Sequence, residues 1–276
     1  MKLSLILVNQ NNCALLKQSL NALVSACKNI DYEIFVVDNA STDKSLEMLE
    51  TDFPDIHLIA NETDFGIAKA NNQALNHCSG EYVLMVRPDT FCNNGSLEKM
   101  MSFMDMHTDA GGIGIRMITP QGRFLPESMH GLTKQWISFF KFIGFAKNLS
   151  KTRLYDRNRK EWVEEFQVAE VDLLNGACMM LRKSVLYDTG LFDERFFMYG
   201  YDIDLSYRMR LAGFKNYYFP KTYIINFDSQ NVSKFSWHYI KYFYGAMLIF
   251  ASKYLMKMPE FTVHGIPQLL SPTYEA

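Results

Sequence analysis

Leu3-Ser-Leu-Ile-Leu-Val8, followed by Asn9-Gln-Asn-Asn12, the segment Ala14–Ala26, and Glu33–Val37 ending in Asp38-Asn-Ala-Ser41, is the stretch on which the fold turns. The opening run is almost wholly apolar, as a strand buried on both faces should be. In Ala14–Ala26, Leu15, Leu16, Leu20, Leu23 and Val24 recur at the spacing of one helix face. Working outward, His57–Ala60 reads as a third strand after a short helix containing Ser45–Leu49. Ile67, Ala70, Asn71, Ala74, Leu75 and Cys78 mark the next helix, with Gly80 as its expected C-cap. Tyr82–Val86 reads as a fourth strand, and Asn94-Gly-Ser96 introduces a helix whose Met100, Met101 and Met104 belong in a core. Strand–helix alternation predicts an α/β fold, a parallel sheet with helices on both faces.

The second half is less regular. Pro120–Glu170 has no clean period, and Lys134–Lys160 carries eight Lys and Arg against one Asp, interleaved with Trp136, Phe139, Phe140, Phe142, Phe145 and Tyr155. Regular structure resumes at Val171–Arg182, then a helix at Ser184–Thr189 ending at Gly190. A helix at Asp202–Ala212, a strand at Tyr217–Phe219 and a long helix at Ser236–Lys257 complete the pattern. In that last helix Tyr239, Phe243, Met247 and Phe250 suit packing on its own sheet or on a second copy.

With 276 residues the chain has room for one large α/β domain or two small ones. Lys and Arg number 28 against 30 Asp and Glu, a net charge of −2 that gives no support to a general nucleic-acid binder. Five scattered cysteines without a CxxC pair suggest neither a disulfide framework nor a zinc knuckle, and favour a reducing compartment. Leu3–Val8 is too short for the apolar core of a signal peptide, and Tyr242–Met256, broken by Lys253, falls short of a membrane span. A cytoplasmic location is the expectation.

Ligands of open α/β sheets sit beyond the carboxyl ends of the strands. Three polar clusters fall there: Asn9–Asn12, Asp38–Ser41 and Arg87-Pro-Asp-Thr90. The first has no glycine, so a dinucleotide fingerprint is missing, and no P-loop sequence occurs. Asp64-Phe-Gly66 is too sparse to cradle phosphates. Acidic groups after two strands suit a sugar nucleotide, with Asp38 toward base or ribose and Asp89 toward the diphosphate through a divalent cation.

Ser4-Leu-Ile-Leu-Val-Asn9, Phe35-Val-Val-Asp-Asn-Ala-Ser-Thr-Asp43 and Asn61-Glu-Thr-Asp-Phe-Gly-Ile-Ala-Lys-Ala-Asn-Asn72 resemble the nucleotide-sugar half of family 2 glycosyltransferases. Gly80-Glu-Tyr-Val-Leu-Met-Val-Arg-Pro-Asp-Thr90 is similar to that family's GEYxxxxNPDT element. Gly176-Ala177, Gly190-Leu-Phe-Asp-Glu194 and Phe196-Phe-Met-Tyr-Gly-Tyr-Asp-Ile-Asp-Leu205 resemble its acceptor half, which reads GA, GxFDE and FFMYxEDxDL. The variant is similar to bacterial rhamnosyltransferase-like enzymes of surface-polysaccharide assembly.

The resemblance implies a GT-A fold, a mixed and mostly parallel sheet flanked by helices. It implies one domain over 1–235, with the donor half at about 1–110 and the acceptor half at about 111–235, a variable insertion near 120–170, and a helix and tail at 236–276. It implies transfer of a sugar, with inversion, from a nucleoside-diphosphate donor to a glycan or lipid-linked acceptor. Donor contacts would come from Val8, Asn9, Asn11, Asp38, Asn39, Asn61, Gly66, Asn71, Arg87 and Asp89. Acceptor contacts would come from Gly176, Ala177, Asp193 and Glu194. A Mg²⁺ or Mn²⁺ ion would sit on Asp89 and Asn226. The base would be Asp202, a carboxylate that the helix dipole should keep ionised; its alternative is a helix cap.

Three positions depart from the family pattern: Tyr201 replaces Glu, Arg87 replaces Asn, and Asn226 stands where a histidine is expected. A neutral amide is a poorer metal ligand than imidazole, with Asp228 close enough in sequence to substitute. Arg87 matches phosphate geometry without a metal, or forms an ion pair with a nearby carboxylate. These changes keep open a second reading, a non-catalytic relative serving as a binding or scaffold subunit. The basic, aromatic Lys134–Lys160 stretch reads either as a variable acceptor loop or as a contact with the inner membrane surface.

Overall fold

Strand β1 (Leu3–Asn9) has parallel neighbours on both sides, β2 (Tyr32–Asn39) and β4 (Tyr82–Val86), with Leu5 opposite both Ile34 and Leu84. Covered on both faces, it needs apolar side chains pointing both ways. Leu3, Leu5 and Leu7 enter one core with Leu16, Leu20 and Leu23 of α1 (Cys13–Ala26). Ile6 enters the other, with Ala70 and Ala74 of α3 (Gly66–Leu75). The computed structural model describes residues 1–130, 134–145, 165–227 and 237–255. Asp228, residues 146–160 of the basic segment, and Ser236, Met256 and Lys257 of the expected last helix lie outside the described residues.

Nine strands among the described residues form one sheet in the order β3-β2-β1-β4-β8-β6-β9-β5, with β7 also on β9. The others are β3 (His57–Asn61), β5 (Thr90–Cys92), β6 (Ala110–Ile118), β7 (Ala169–Val171), β8 (Cys178–Arg182) and β9 (Lys215–Asn226). Strand β8 runs antiparallel between β4 and β6, and β5 and β7 run antiparallel to β9. The remaining six share one direction, so the sheet is mixed and mostly parallel. The other helices are α2 (Ser45–Asp52), α4 (Ser96–Met106), α5 (Glu127–His130), α6 (Lys134–Phe142), α7 (Lys183–Thr189) and α8 (Tyr201–Leu211). The final helix α9 is α-helical at Trp237–Tyr239 and Gly245–Tyr254, around a π-helical turn at Ile240–Tyr244.

Several elements differ from the sequence reading: α5 and α6 form within the stretch that has no clean period, and β5 and β7 add short strands on β9. Strand β6 is hidden by Gly111, Gly112 and Gly114, which erase the period of a strand but let neighbours pack on bare backbone; a Cβ on Gly112 would meet Leu181 at 2.7 Å and Leu174 at 2.8 Å. Strand β9 runs seven residues beyond Phe219. Its register on β6 jumps from Ile115↔Phe219 to Arg116↔Tyr223, so Pro220 is accommodated in a bulge instead of ending the strand. Gly80 is not the cap of α3, which is Asn76. Gly80 instead abuts β1, its N–H donating to Ser4 Oγ at 2.8 Å.

Helix α9 packs on its own domain. Phe243, Met247 and Phe250 are buried with Trp136, Phe140 and Phe145. A buried ionic network locks its end: Lys253 Nζ donates to Asp193 at 2.8 Å and to Asp204 at 2.7 Å, Tyr254 donates to Asp204 at 2.7 Å, and Arg208 Nε donates to Asp204 at 2.9 Å. The expected i,i+4 pair of Asp204 and Arg208 is therefore present and fully enclosed.

Candidate active site

At the ends of β1 and β2, Asn9 lies opposite Asp38 in register. Asp38 is fully buried. Its Oδ1 accepts the Ser41 N–H at 2.8 Å, and its Oδ2 accepts the Ser41 hydroxyl at 2.7 Å and the Asn9 amide at 2.9 Å. This is an aspartate turn, so any nucleoside contact must come from a carboxylate that already accepts three bonds. Asn11 (φ 51°) accepts from the Thr42 N–H at 2.7 Å and the Asp43 N–H at 3.2 Å, and joins the strand-end loops. Val8, half-buried, packs at the edge of the core beneath them.

A second polar web surrounds the Asp64-Phe-Gly66 turn. Asn39 donates to Asp64 at 3.1 Å and accepts from Asn61 at 2.9 Å, while Asn61 and Gln73 exchange two bonds of 2.9 Å. Gly66 (φ 78°) has the Phe197 carbonyl where a Cβ would be, and the Ile67 N–H donates to that carbonyl at 2.6 Å. Asn71 turns inward to the Ile67 carbonyl at 2.9 Å. Its neighbour Asn72, missing from the sequence-derived set, donates to the Phe192 carbonyl at 2.9 Å and to Glu194 at 3.0 Å, and accepts the Phe192 N–H at 3.0 Å. Asn72 thus ties α3 to the Gly190–Glu194 loop.

Of the acceptor candidates in that loop, Glu194 is held by Asn72, while Arg195 donates to Asp193 at 2.8 and 2.5 Å. Burial pushes the Asp193 carboxyl up, but Arg195 and Lys253 outweigh it and hold it well below the usual carboxylate range. Both side chains are engaged in fixing the loop.

After β4, the Arg87 N–H donates to the Ala177 carbonyl at 3.0 Å, and its guanidinium lies 2.5 Å from Asp89 Oδ2. Asp89 is buried. Its carbonyl accepts the Phe227 N–H at 2.9 Å, and Asn226 pairs with Thr90 across β9 and β5. The bulged, extended β9 is what carries Asn226 to Asp89.

Gly176 and Ala177 sit at the start of β8, where the Asn175 side chain accepts the Ala177 N–H at 2.8 Å and donates to the Glu127 carbonyl at 3.2 Å. The Gly176 N–H donates to Asp202 Oδ2 at 2.8 Å, and the Ile203 N–H donates to Oδ1 at 2.9 Å. A Cβ on Gly176 would overlap the Tyr201 hydroxyl and lie 3.0 Å from Asp202 Oδ2. Tyr201 replaces the family's Glu with an aromatic packed edge-on against Phe192, at 5.4 Å between centroids. The N-cap of α8 is Gly200 (φ 83°), so the capping role considered for Asp202 is not the one it has. Nor is its acidity strengthened. Burial raises the Asp202 pKa from the ordinary 3.8 to about 6, against the lowering effect of the Gly176 and Ile203 N–H groups. It is ionised at pH 7, with a pKa in the range that suits a carboxylate to accept a proton.

One segment, Asn175-Gly176-Ala177, therefore touches both Asp202 and the Arg87 backbone, and Arg87 is near enough for its charge to act on Tyr199 and Tyr201. Asp202 and Arg87 are thus linked through one short backbone segment at the carboxyl end of the sheet, where ligands of open α/β sheets bind.

The family model "Glycosyl transferase family 2" matches residues 4–188, and the chain belongs to that family. It is a glycosyltransferase. It is 24% identical over 213 residues to the N-acetylglucosaminyl-diphospho-decaprenol L-rhamnosyltransferase of Mycobacterium tuberculosis, covering 73% of this chain and 68% of that one. It is 29% identical over 159 residues to poly(ribitol-phosphate) beta-N-acetylglucosaminyltransferase TarS of Staphylococcus aureus, covering 56% of this chain but only 27% of that protein. The structure of S. aureus TarS 1–349 with UDP-GlcNAc superposes with a TM-score of 0.63 at 22% identity, over 92% of this chain and 66% of that one. The mannosyltransferase PcManGT of Pyrobaculum calidifontis, solved with GDP-Man and Mn²⁺, gives 0.59 at 17% identity, over 84% of this chain and 58% of that one. The fold is GT-A.

The Mn²⁺ of that relative puts the expected cation to a test of fit. Hard divalent ions are held by several oxygen ligands, usually including carboxylates. Here the Asp89 carboxylate is held by a guanidinium and its expected partner is a neutral amide. Among the described residues no three His, Cys, Asp or Glu come together to hold a metal ion. One carboxylate already engaged by a guanidinium, beside a neutral amide, is a poor described donor set for a divalent cation.

Proposed function

We propose that this chain transfers a sugar, with inversion, from a nucleoside-diphosphate donor to a hydroxyl of a glycan or lipid-linked acceptor in surface-polysaccharide assembly. The observation that carries this reading is Asp202, held by the Gly176 N–H, half-buried and with its pKa pushed up to about 6. In the transfer, Asp202 takes the proton of the acceptor hydroxyl as that oxygen bonds to the anomeric carbon. The bond to the diphosphate breaks with its electron pair leaving on the diphosphate oxygen. Residues 1–110 would hold the donor and 111–235 the acceptor. The relatives support the substrate class, since one is named for a diphospho-decaprenol acceptor and another was solved with UDP-GlcNAc.

A thermal-shift screen of UDP, dTDP, GDP and CDP tests the donor site, because a ligand of the native state alone raises the melting temperature with occupancy. One nucleotide is expected to raise it. No shift with any of them, together with no sugar transfer, would favour the scaffold reading.

Peripheral contact with the membrane belongs to the same proposal. No helix of the described residues is long and apolar enough to cross a membrane. Helices α6 and α9 nevertheless lie side by side and leave Phe142, Tyr244 and Leu248 exposed around a groove lined also by Phe139 and Met247. Lys134 lines this groove, Lys141 and Lys241 lie on the same two helices, and 134–145 and 237–255 contain no Asp or Glu. Apolar residues accompanied by lysines suit an anionic lipid surface, each lysine adding about 1 kcal/mol there. The protein is expected to co-sediment with anionic vesicles at low salt, and Phe142→Ser with Leu248→Ser to release it. Absence of wild-type binding at low salt would remove the membrane from the proposal.

A further inference from the structure

We infer that Arg87 takes the place of the divalent cation, so that the donor's diphosphate is bound and its leaving charge offset without a metal. This rests on the donor-site reading above and deepens it.

Two departures from the family pattern meet in space although 139 positions separate them. Arg87 adds a fixed positive charge at the end of β4, and Asn226 removes a metal-binding imidazole at the end of β9. The β5–β9 pairing of Thr90 with Asn226, and the Phe227 N–H on the Asp89 carbonyl at 2.9 Å, bring the two ends together. One change removes a metal ligand where the other supplies the charge the metal would have carried.

The geometry suits Arg87 to this task. Its backbone is pinned on both sides, the N–H to the Ala177 carbonyl at 3.0 Å and the carbonyl to the Thr90 N–H at 3.1 Å. Asp89, 2% exposed, holds one guanidinium nitrogen at 2.5 Å, while the arginine side chain stays 27% exposed. Asp89 is thus a positioning residue that aims Arg87. A guanidinium carries five N–H donors in a planar fork, so the exposed part retains donors matched to phosphate oxygens. A divalent ion on Asp89 would have to displace this guanidinium or sit against it, like charge beside like charge. When the bond to the sugar breaks, the diphosphate receives the electron pair and Arg87 offsets it, while the acceptor's proton goes to Asp202.

Isothermal titration of the nucleotide chosen by the thermal-shift screen, in excess EDTA and then in Mn²⁺, provides the test. Wild-type affinity is expected to agree within about twofold under the two conditions. Arg87→Asn should weaken binding in EDTA by about 10- to 100-fold, the value of a charge-assisted hydrogen bond. Arg87→Lys should recover only part, having charge without the fork. Arg87→Asn with Asn226→His should bind in Mn²⁺ and not in EDTA. Should EDTA abolish wild-type binding and Mn²⁺ restore it, Arg87 is a structural ion pair and the inference is overturned, while the donor site stands. Absence of nucleotide binding under both conditions would overturn the donor-site reading itself. The wild-type comparison decides even where a variant fails to fold.

Discussion

Asp202→Asn is expected to lower kcat about 10³-fold, within the range of a lost general base, and to leave nucleotide affinity nearly unchanged. The reason is local. Asp202 reaches the site from the first turn of α8 and contacts the Gly176 N–H at 2.8 Å, whereas the donor-side groups belong to β1, β2, β3, α3 and the segment after β4. An amide keeps the shape and cannot accept the acceptor's proton. In the wild-type enzyme kcat/KM should rise about tenfold per pH unit up to about pH 6, where Asp202 becomes ionised, and then level off. A flat profile between pH 5 and 7 would remove Asp202 from the base role.

The same group has a stability consequence of opposite sign. Its folded pKa of about 6 lies above the ordinary 3.8, so between those values the folded state binds the proton more tightly than the unfolded chain. The contribution of Asp202 to stability is therefore favourable at acid pH and is lost as pH rises through about 6. At pH 8 Asp202→Asn removes a poorly hydrated charge, which offsets the N–H partner that an amide serves less well. Its melting temperature should be no lower than that of the wild-type protein, which separates loss of chemistry from loss of fold.

Gly66→Ala is the second large effect, and it falls on stability first: roughly 2–5 kcal/mol, from left-handed backbone strain plus overpacking. Gly66 has φ 78°, and a methyl group there would overlap the Phe197 carbonyl and lie 2.7 Å from the Phe197 ring. The oxygen it meets is backbone, already accepting the Ile67 N–H at 2.6 Å, so it has little room to yield. Phe197 in turn stacks on Tyr242 at 4.3 Å, which passes any displacement to α9. Denaturant unfolding should show the loss, and sugar transfer should fall with it because the 196–201 segment leads into Asp202. A variant as stable as the parent would show that this turn is looser than its contacts require.

The parts of the fold legible in the sequence share one property: their signal is local. β1 to β4 and α1 to α4 carry their own periodicity and turn residues, and their side chains decide their environment within a few positions. The site was legible to the same extent. Arg87, Asp89, Gly176 and Asp202 stand out because short motifs hold them. Asn72 and Asn175 do not, since a polar residue in a helix or loop has no period, and the partners of Asn72 lie about 120 positions away. Strand β6 and the far half of β9 were obscured by glycines and a proline whose local preferences oppose a strand, until pairing with neighbours on both sides within the sheet outweighs them.

The sequence by itself therefore determined the α/β class, the family and the positions of the candidate base and diphosphate groups, because apolar period and motif order are written in neighbouring residues. Only the tertiary structure decided that Arg87 engages Asp89, that Asn226 reaches them, and that Asp202 is buried enough to raise its pKa. Each depends on strands and helices distant along the chain meeting across one sheet, where hydrogen-bond geometry and exclusion of water arise from packing and not from the order of the residues.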